Sequence, residues 1–214
     1  MATAVLVVAG CKIVEHEQAS ADGEATQTAS TGAADPGVFD PARYVEVRWG
    51  TEILPYAADH AVDLPAVLAA LAANREAAGE EFGHREGGEG KPWSYLVVAR
   101  GTPLAVDRSS RAGLMPLDLA PEDGIADVVI QIGPVIRGTA LRDALPFLSF
   151  ADVINQMEWA AVSRQMHDRL SATLLATTDL DALVGRPVEI RGAFTDAGAG
   201  EVAITPVAIT PLGD

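Results

Sequence analysis

Two short segments hold most of the side chains that could do chemistry. In Arg137-Gly138-Thr139-Ala140-Leu141-Arg142-Asp143, two guanidiniums, a hydroxyl and a carboxylate lie close together, and Gly138 permits a sharp turn. A guanidinium is a planar fork that grips carboxylates, phosphates or sugar hydroxyls. Arg137, Thr139, Arg142 and Asp143 are therefore candidate binding residues. The same types also serve a fold by themselves, Arg142 with Asp143 as an ion pair and Thr139 as a helix cap. Asp107, Ser109, Ser110 and Arg111 form the second group, between two expected strands, where a loop can present hydroxyls and a guanidinium to a ligand. Their alternative role is an Asx or Ser turn, relieved by Gly113.

Catalysis has less support. Asp107 and Asp143 are the carboxylates that an envelope enzyme acting on a saccharide would use, and such a pair must stand about 5 to 9 Å apart in one pocket. No Gly-x-Ser-x-Gly elbow is present, and His16, His60, His84 and His167 show no spacing that selects one as a base. No catalytic residue is assigned on these patterns. Glu122-Asp123-Gly124-Ile125-Ala126-Asp127 gathers three carboxylates around a glycine but lacks the alternating ligands of a calcium loop, so a hairpin turn is expected and no metal is assigned. The Arg85 to Lys91 loop is glycine-rich, yet Pro92 stands where a phosphate-cradling loop needs Ser or Thr. No cofactor is implied. Trp49, Trp93 and Trp159 could stack on sugar faces, although their apolar settings favour core packing.

Cys11 is the lone cysteine, so an internal disulfide is excluded. It follows an apolar run ending in Val8-Ala9-Gly10, the pattern of a lipoprotein signal cut before an acylated cysteine. Residues 1–11 are read as that signal. They lack a basic leading region and a full-length apolar stretch, so the natural start is expected upstream. From Glu15 to Gly37 the chain is Ala, Ser, Thr, Gly, Glu and Gln with almost nothing large and apolar, which cannot repay the entropy of folding. Residues 12–38 are read as a flexible tether, and 39–214 as the folded module.

The formal net charge of −15 excludes nucleic acid as a plausible partner, because a phosphate backbone needs clustered cations. Only Lys12 and Lys91 are lysines, so most cations favour fork-like pairing. Nearly half the residues are apolar, enough to bury a core.

The positioning elements follow from periodicity. Asp40-Pro41 opens a helix in which Val45, Trp49, Ile53 and Tyr56 recur at helical spacing, weakened by Gly50 and Pro55. Asp63 caps a second helix with Leu64, Val67, Leu68 and Leu71 on one stripe, continuing toward Phe82. Strands are expected at Trp93 to Arg100, Pro103 to Asp107, Gly113 to Leu119 and Asp127 to Ile132. A helix through Trp159, Val162, Met166, Leu170 and Leu174 precedes two final strands. The fold class is therefore α+β and β-rich. Asp127-Val128-Val129-Ile130-Gln131 also matches Glu201-Val202-Ala203-Ile204-Thr205, each followed by a proline and a branched apolar residue, which suggests two copies of a small β-unit with helical insertions.

The chain resembles a family of predicted bacterial periplasmic lipoproteins, domain of unknown function 2291. The resemblance runs through Gly10-Cys11-Lys12-Ile13-Val14, Pro92-Trp93, Asp107 to Gly113, Ala126 to Asp143 and Asn155-Gln156. It implies tandem OB-like β-barrels that exchange strands, so that residues 39–214 would be two intertwined halves. It also implies a setting beside sugar ABC transporters. The expected partners are a membrane, through lipid on Cys11, and either transporter components or a small carbohydrate. The expected location is the periplasm or cell surface, and the expected role is binding or accessory. In a chain with a complete signal, metabolic labelling with a fatty-acid analogue should mark the protein and Cys11→Ser should abolish the label; unchanged labelling would overturn the assignment.

Overall fold

The structure, a computed structural model, describes residues 39–198 and 200–213. Cys11 and the expected signal and tether lie outside the described residues. Helix α1 (Pro41–Arg48) begins as the sequence requires: the Asp40 carboxylate accepts from Ala42 N and Arg43 N at 3.0 and 3.1 Å, and Pro41 occupies the first turn. Pro55 has no N–H to give the carbonyl one turn back, so the chain widens into a π turn, Trp49–Ile53, in which Leu54 N reaches Trp49 O. It then resumes as α2 (Leu54–His60). Val45, Trp49 and Ile53 are buried despite the widened turn.

The stripe expected to run from Leu64 to Phe82 is broken. Asn74 adopts an extended conformation and its side chain accepts from Glu76 N and Ala77 N, ending α3 (Leu64–Ala73) and capping α4 (Arg75–Phe82). Asp63 stands at the start of α3 without capping it; its carboxylate lies 3.5 Å from Arg100 instead.

Five strands close into a barrel: β3 (Ser94–Pro103), β4 (Leu114–Leu119), β5 (Val128–Gln131), β7 (Ala203–Pro211), β6 (Val188–Thr195) and back to β3. Within the barrel only β5 with β7 is parallel. Along its other edge β3 also pairs with β1 (Val62–Asp63) and β2 (Gly83–His84), which fill the edge that β4 does not cover. The expected separate strand at Pro103 to Asp107 is not one: β3 runs on to Pro103, and only Asp107 returns to bridge Leu114.

The described residues thus hold one barrel in one sheet, and the tandem pair implied by the resemblance is not seen among them. The apparent repeat has a different origin. Val129 pairs with Ala203 and Ile130 with Ile204, the alignment that made the segments look like copies. Two parallel neighbours in one barrel face the same inside and outside at each step, so they converge on one pattern.

Inside the barrel, Tyr95, Val97, Met115, Leu117, Ile130, Ile190, Phe194 and Ile204 pack with Leu64, Val67 and Leu71 of α3. The Tyr95 and Phe194 rings stack at 5.1 Å, and burial pushes the Tyr95 phenol up to about 12, so it stays neutral. Outside, Leu96, Ala193 and Val207 pack beneath α1, α5 (Ala140–Asp143) and α6 (Gln156–Leu170). Asn155 caps α6 by accepting from Met157 N and Glu158 N, and Trp159, Val162, Met166 and Leu170 are buried as expected.

Trp93 joins α4 to the barrel. Its Nε1 donates to Glu76 Oε2 at 3.1 Å, and Arg85 lies over its ring at 4.1 Å while pairing with Glu76. A Cβ on Gly79 would overlap that indole. Alanine gains about 1 kcal/mol over glycine inside a helix, whereas overpacking costs about 1 to 3 kcal/mol and here also strains the Glu76 and Arg85 contacts. Gly79→Ala should therefore lower the urea midpoint, by an amount equivalent to about 1 kcal/mol; a raised midpoint would show that the ring moves aside freely.

Candidate functional site

The Arg142-Asp143 pair sits on the short α5, facing α6. Burial forbids an unanswered guanidinium, and Arg142, 7 % exposed, is answered on every side. Its Nε and Nη2 donate to Asp143 Oδ1 at 2.7 and 2.6 Å, its Nη1 donates to Trp159 O at 2.8 Å, and its plane lies 4.2 Å from the Trp159 ring centre. The other Asp143 oxygen accepts from the Thr139 hydroxyl at 2.5 Å. Thr139 therefore secures the carboxylate and does not cap α5. The Asp143 carbonyl lies 2.7 Å from His84 Nδ1, which must carry the proton because a carbonyl only accepts. This cluster fastens α5 to α6 and to β2.

A cleft of about 290 Å³ opens beside the pair. Glu86, Lys91 and Pro92 come from the glycine-rich loop, Phe150 from the approach to α6, and Gln156 and Trp159 from the first turn of α6 itself. Gly87, Gly88 and Gly90 have φ of 90, 80 and 84°, a left-handed path that side chains rarely follow, so the glycines are what let this loop coil. Glu86 Oε1 accepts from Phe150 N at 2.9 Å and holds the loop against the far wall. Lys91 and Gln156 make no ion pair or side-chain hydrogen bond among the described residues, leaving their donors and acceptor open to the cleft. Burial, aided by the Arg142 charge and opposed by Asp168, pushes the nearby His167 below its ordinary value and favours neutral imidazole.

The remaining candidates lie elsewhere. Arg137 is exposed, and Gly138, with φ 79°, turns the chain between it and α5, so Arg137 lines a different cavity. Asp107 Oδ1 accepts from Ser109 N at 2.8 Å, an Asx turn, and the Ser109 hydroxyl and N–H hold its carboxyl below the usual range. Ser109, Ser110 and Arg111 are exposed on that loop, and the ion pair there is made by Arg108 with Asp181 at 3.0 Å. Asp143 lines the cleft and Asp107 does not, so the carboxylates expected to act as a pair do not share it.

In the acidic turn Glu122 accepts from the Thr102 hydroxyl at 2.8 Å and Asp123 from Ile125 N at 2.9 Å, and the neighbouring carboxylates are taken by backbone. Asp118, 2 % exposed, accepts from Gly124 N at 2.7 Å, and Asp127 accepts from Leu119 N at 2.8 Å. Among the described residues no group of His, Cys, Asp or Glu is placed to hold a metal ion. Trp49 and Trp159 are buried, while Trp93 is half-buried beneath Arg85. Sequence reasoning missed Glu86, Lys91, Phe150 and Gln156 as cleft residues. The loop glycines were a signal for the first two; nothing in the local pattern marks the other two.

The model of the family described as predicted periplasmic lipoprotein, DUF2291, matches residues 1–210. Among solved structures, an OB-fold protein of Thermotoga maritima MSB8 is similar with a TM-score of 0.66 and 16 % identity, covering 82 % of this chain and 99 % of its own. That likeness shows the fold: a five-stranded barrel of OB type with helices outside it. A comparison with curated proteins gives no match. Among the described residues no helix is long and apolar enough to cross a membrane. With all but the last few residues matched, the chain belongs to the DUF2291 family of predicted periplasmic lipoproteins.

Proposed function

We propose that the protein is a periplasmic binding module, held at a membrane by lipid on Cys11, that takes a small neutral saccharide in the cleft beside Arg142 and Asp143. The observation that carries this reading is the pair of uncommitted groups, Lys91 and Gln156, set around the apolar surfaces of Phe150, Pro92 and Trp159. A saccharide needs both: polar groups for its hydroxyls and flat apolar walls for its ring faces. Two acids, Glu86 and Asp143, and two bases, Lys91 and Arg142, line the cleft, so its formal charges cancel and favour a neutral guest. At about 290 Å³ it lies at the small end of ligand sites and suits a short saccharide better than a long chain. Such a module would work as an accessory to carbohydrate uptake, with transporter components as its protein partners.

Calorimetric titration with neutral mono- and disaccharides tests the reading. At least one should bind saturably, and Lys91→Ala and Gln156→Ala should each weaken it about ten-fold without moving the melting temperature. No saturable binding by any of them, or unchanged affinity in both variants, would overturn it. Arg142→Ala should behave differently: it strands the Asp143 carboxylate and should cost about 3 kcal/mol of stability, read as a lower urea midpoint.

A further inference from the structure

A second cavity, of about 260 Å³, is lined by residues of β4, β5 and the loop between β6 and β7. Arg137 and Glu201 are the two charged residues lining it. Both are exposed, and among the described residues neither makes an ion pair. The chain carries 30 acids against 15 bases and commits Arg75, Arg85, Arg100, Arg108, Arg142 and Arg191 to carboxylates, whereas Arg137 is left to the cavity. Opposite charges that border one cavity without meeting leave a place for a guest that meets both.

The cation is also held in position. Gln131, 5 % exposed, accepts from Arg137 N at 2.7 Å and donates to Arg137 O at 3.2 Å and to Thr205 Oγ1 at 3.0 Å. A buried amide must satisfy its polar atoms, and this one clamps both backbone groups of Arg137. The guanidinium therefore springs from a fixed base, while its own donors stay free. Leu114, Val129 and Ala203 add apolar lining.

We propose that this cavity binds a free α-amino acid, its carboxylate on the fork of Arg137 and its ammonium on Glu201, with Gln131 as the positioning residue. The apolar lining would receive an aliphatic side chain. This site is separate from the saccharide cleft and does not rest on it.

Calorimetric titration of the full chain with the aliphatic amino acids, using acetate and methylamine as single-charge controls, tests the proposal. A saturable amino-acid isotherm is expected, with both controls silent at the same concentrations. Arg137→Ala and Glu201→Ala should each weaken binding about ten-fold or more, since each removes a charged hydrogen-bond partner. The double exchange Arg137→Glu with Glu201→Arg should recover part of what either exchange alone loses, a result that a purely structural role would not give. Lys91→Ala, in the other cleft, should leave the isotherm unchanged. No amino-acid binding, equal binding by acetate, or indifference to both alanine variants would overturn it.

Discussion

A guanidinium taken out of water must find a partner for its charge and its donors, and Arg142 shows how much structure that one demand can organise. The carboxylate that answers it is the next residue in the chain, so the pair alone would fix only a single turn. What gives it reach is everything else the two residues touch: the Trp159 carbonyl and ring on α6, the Thr139 hydroxyl before α5, and His84 on β2. A helix of four residues has too few internal hydrogen bonds to hold its own orientation, and here it borrows that orientation from its neighbours. The cleft beside it is framed by two ties, this cluster holding α5 to α6 and β2, and Glu86 holding the glycine-rich loop to Phe150.

The barrel imposes the complementary constraint, because closure leaves β3 to serve two edges at once. One edge runs along β6 from Ser94 to Gly101, while the other is shared among β2, β1 and β4. Backbones that approach this closely need glycine. A Cβ on Gly101 would overlap the Asp118 carbonyl, and one on Gly192, beside the irregularity in the β6–β7 ladder, would overlap Thr205 O. The short β1 and β2 complete the edge from a segment that is otherwise helical, so the α3–α4 hairpin is tied to the barrel by hydrogen bonds as well as by its apolar stripe.

Much of this was legible in the sequence, and the failures have physical causes. Helical spacing and clear caps located α1 and α6, and runs of branched apolar residues bounded by turns located β4 and β5, the last buried on both faces. The break at Asn74 was not legible because alanines on both sides favour helix, and what ends α3 is a local hydrogen bond from one side chain. The likeness of β5 to β7 was visible but suggested duplication, since sequence comparison cannot distinguish two copies of a fold from two strands that share one environment. Of the site, the reactive residue types were visible and their roles were not. Phe150 and Gln156 reach the cleft through tertiary packing alone, and no local spacing encodes that.

Arg137 and Arg142 make the last distinction plain, since they have the same side chain five positions apart in one motif. Composition treats them as equivalent. Gly138 turns the chain between them, and from there burial decides: Arg142 enters the interior and must spend its donors on protein, whereas Arg137 stays at the surface with its backbone clamped and its guanidinium uncommitted. Arginine suits both fates for one reason. Its charge persists in either environment and its donors point along fixed directions, so in the core it can be matched by a fixed set of acceptors, and at a cavity it can wait for a ligand that supplies them. A lysine at 142 has its three donors on one tetrahedral nitrogen and no planar face, so it could not bridge Asp143 and the Trp159 carbonyl while stacking on the ring. The motif is therefore better understood as two environments divided by a glycine than as a single cluster of polar residues.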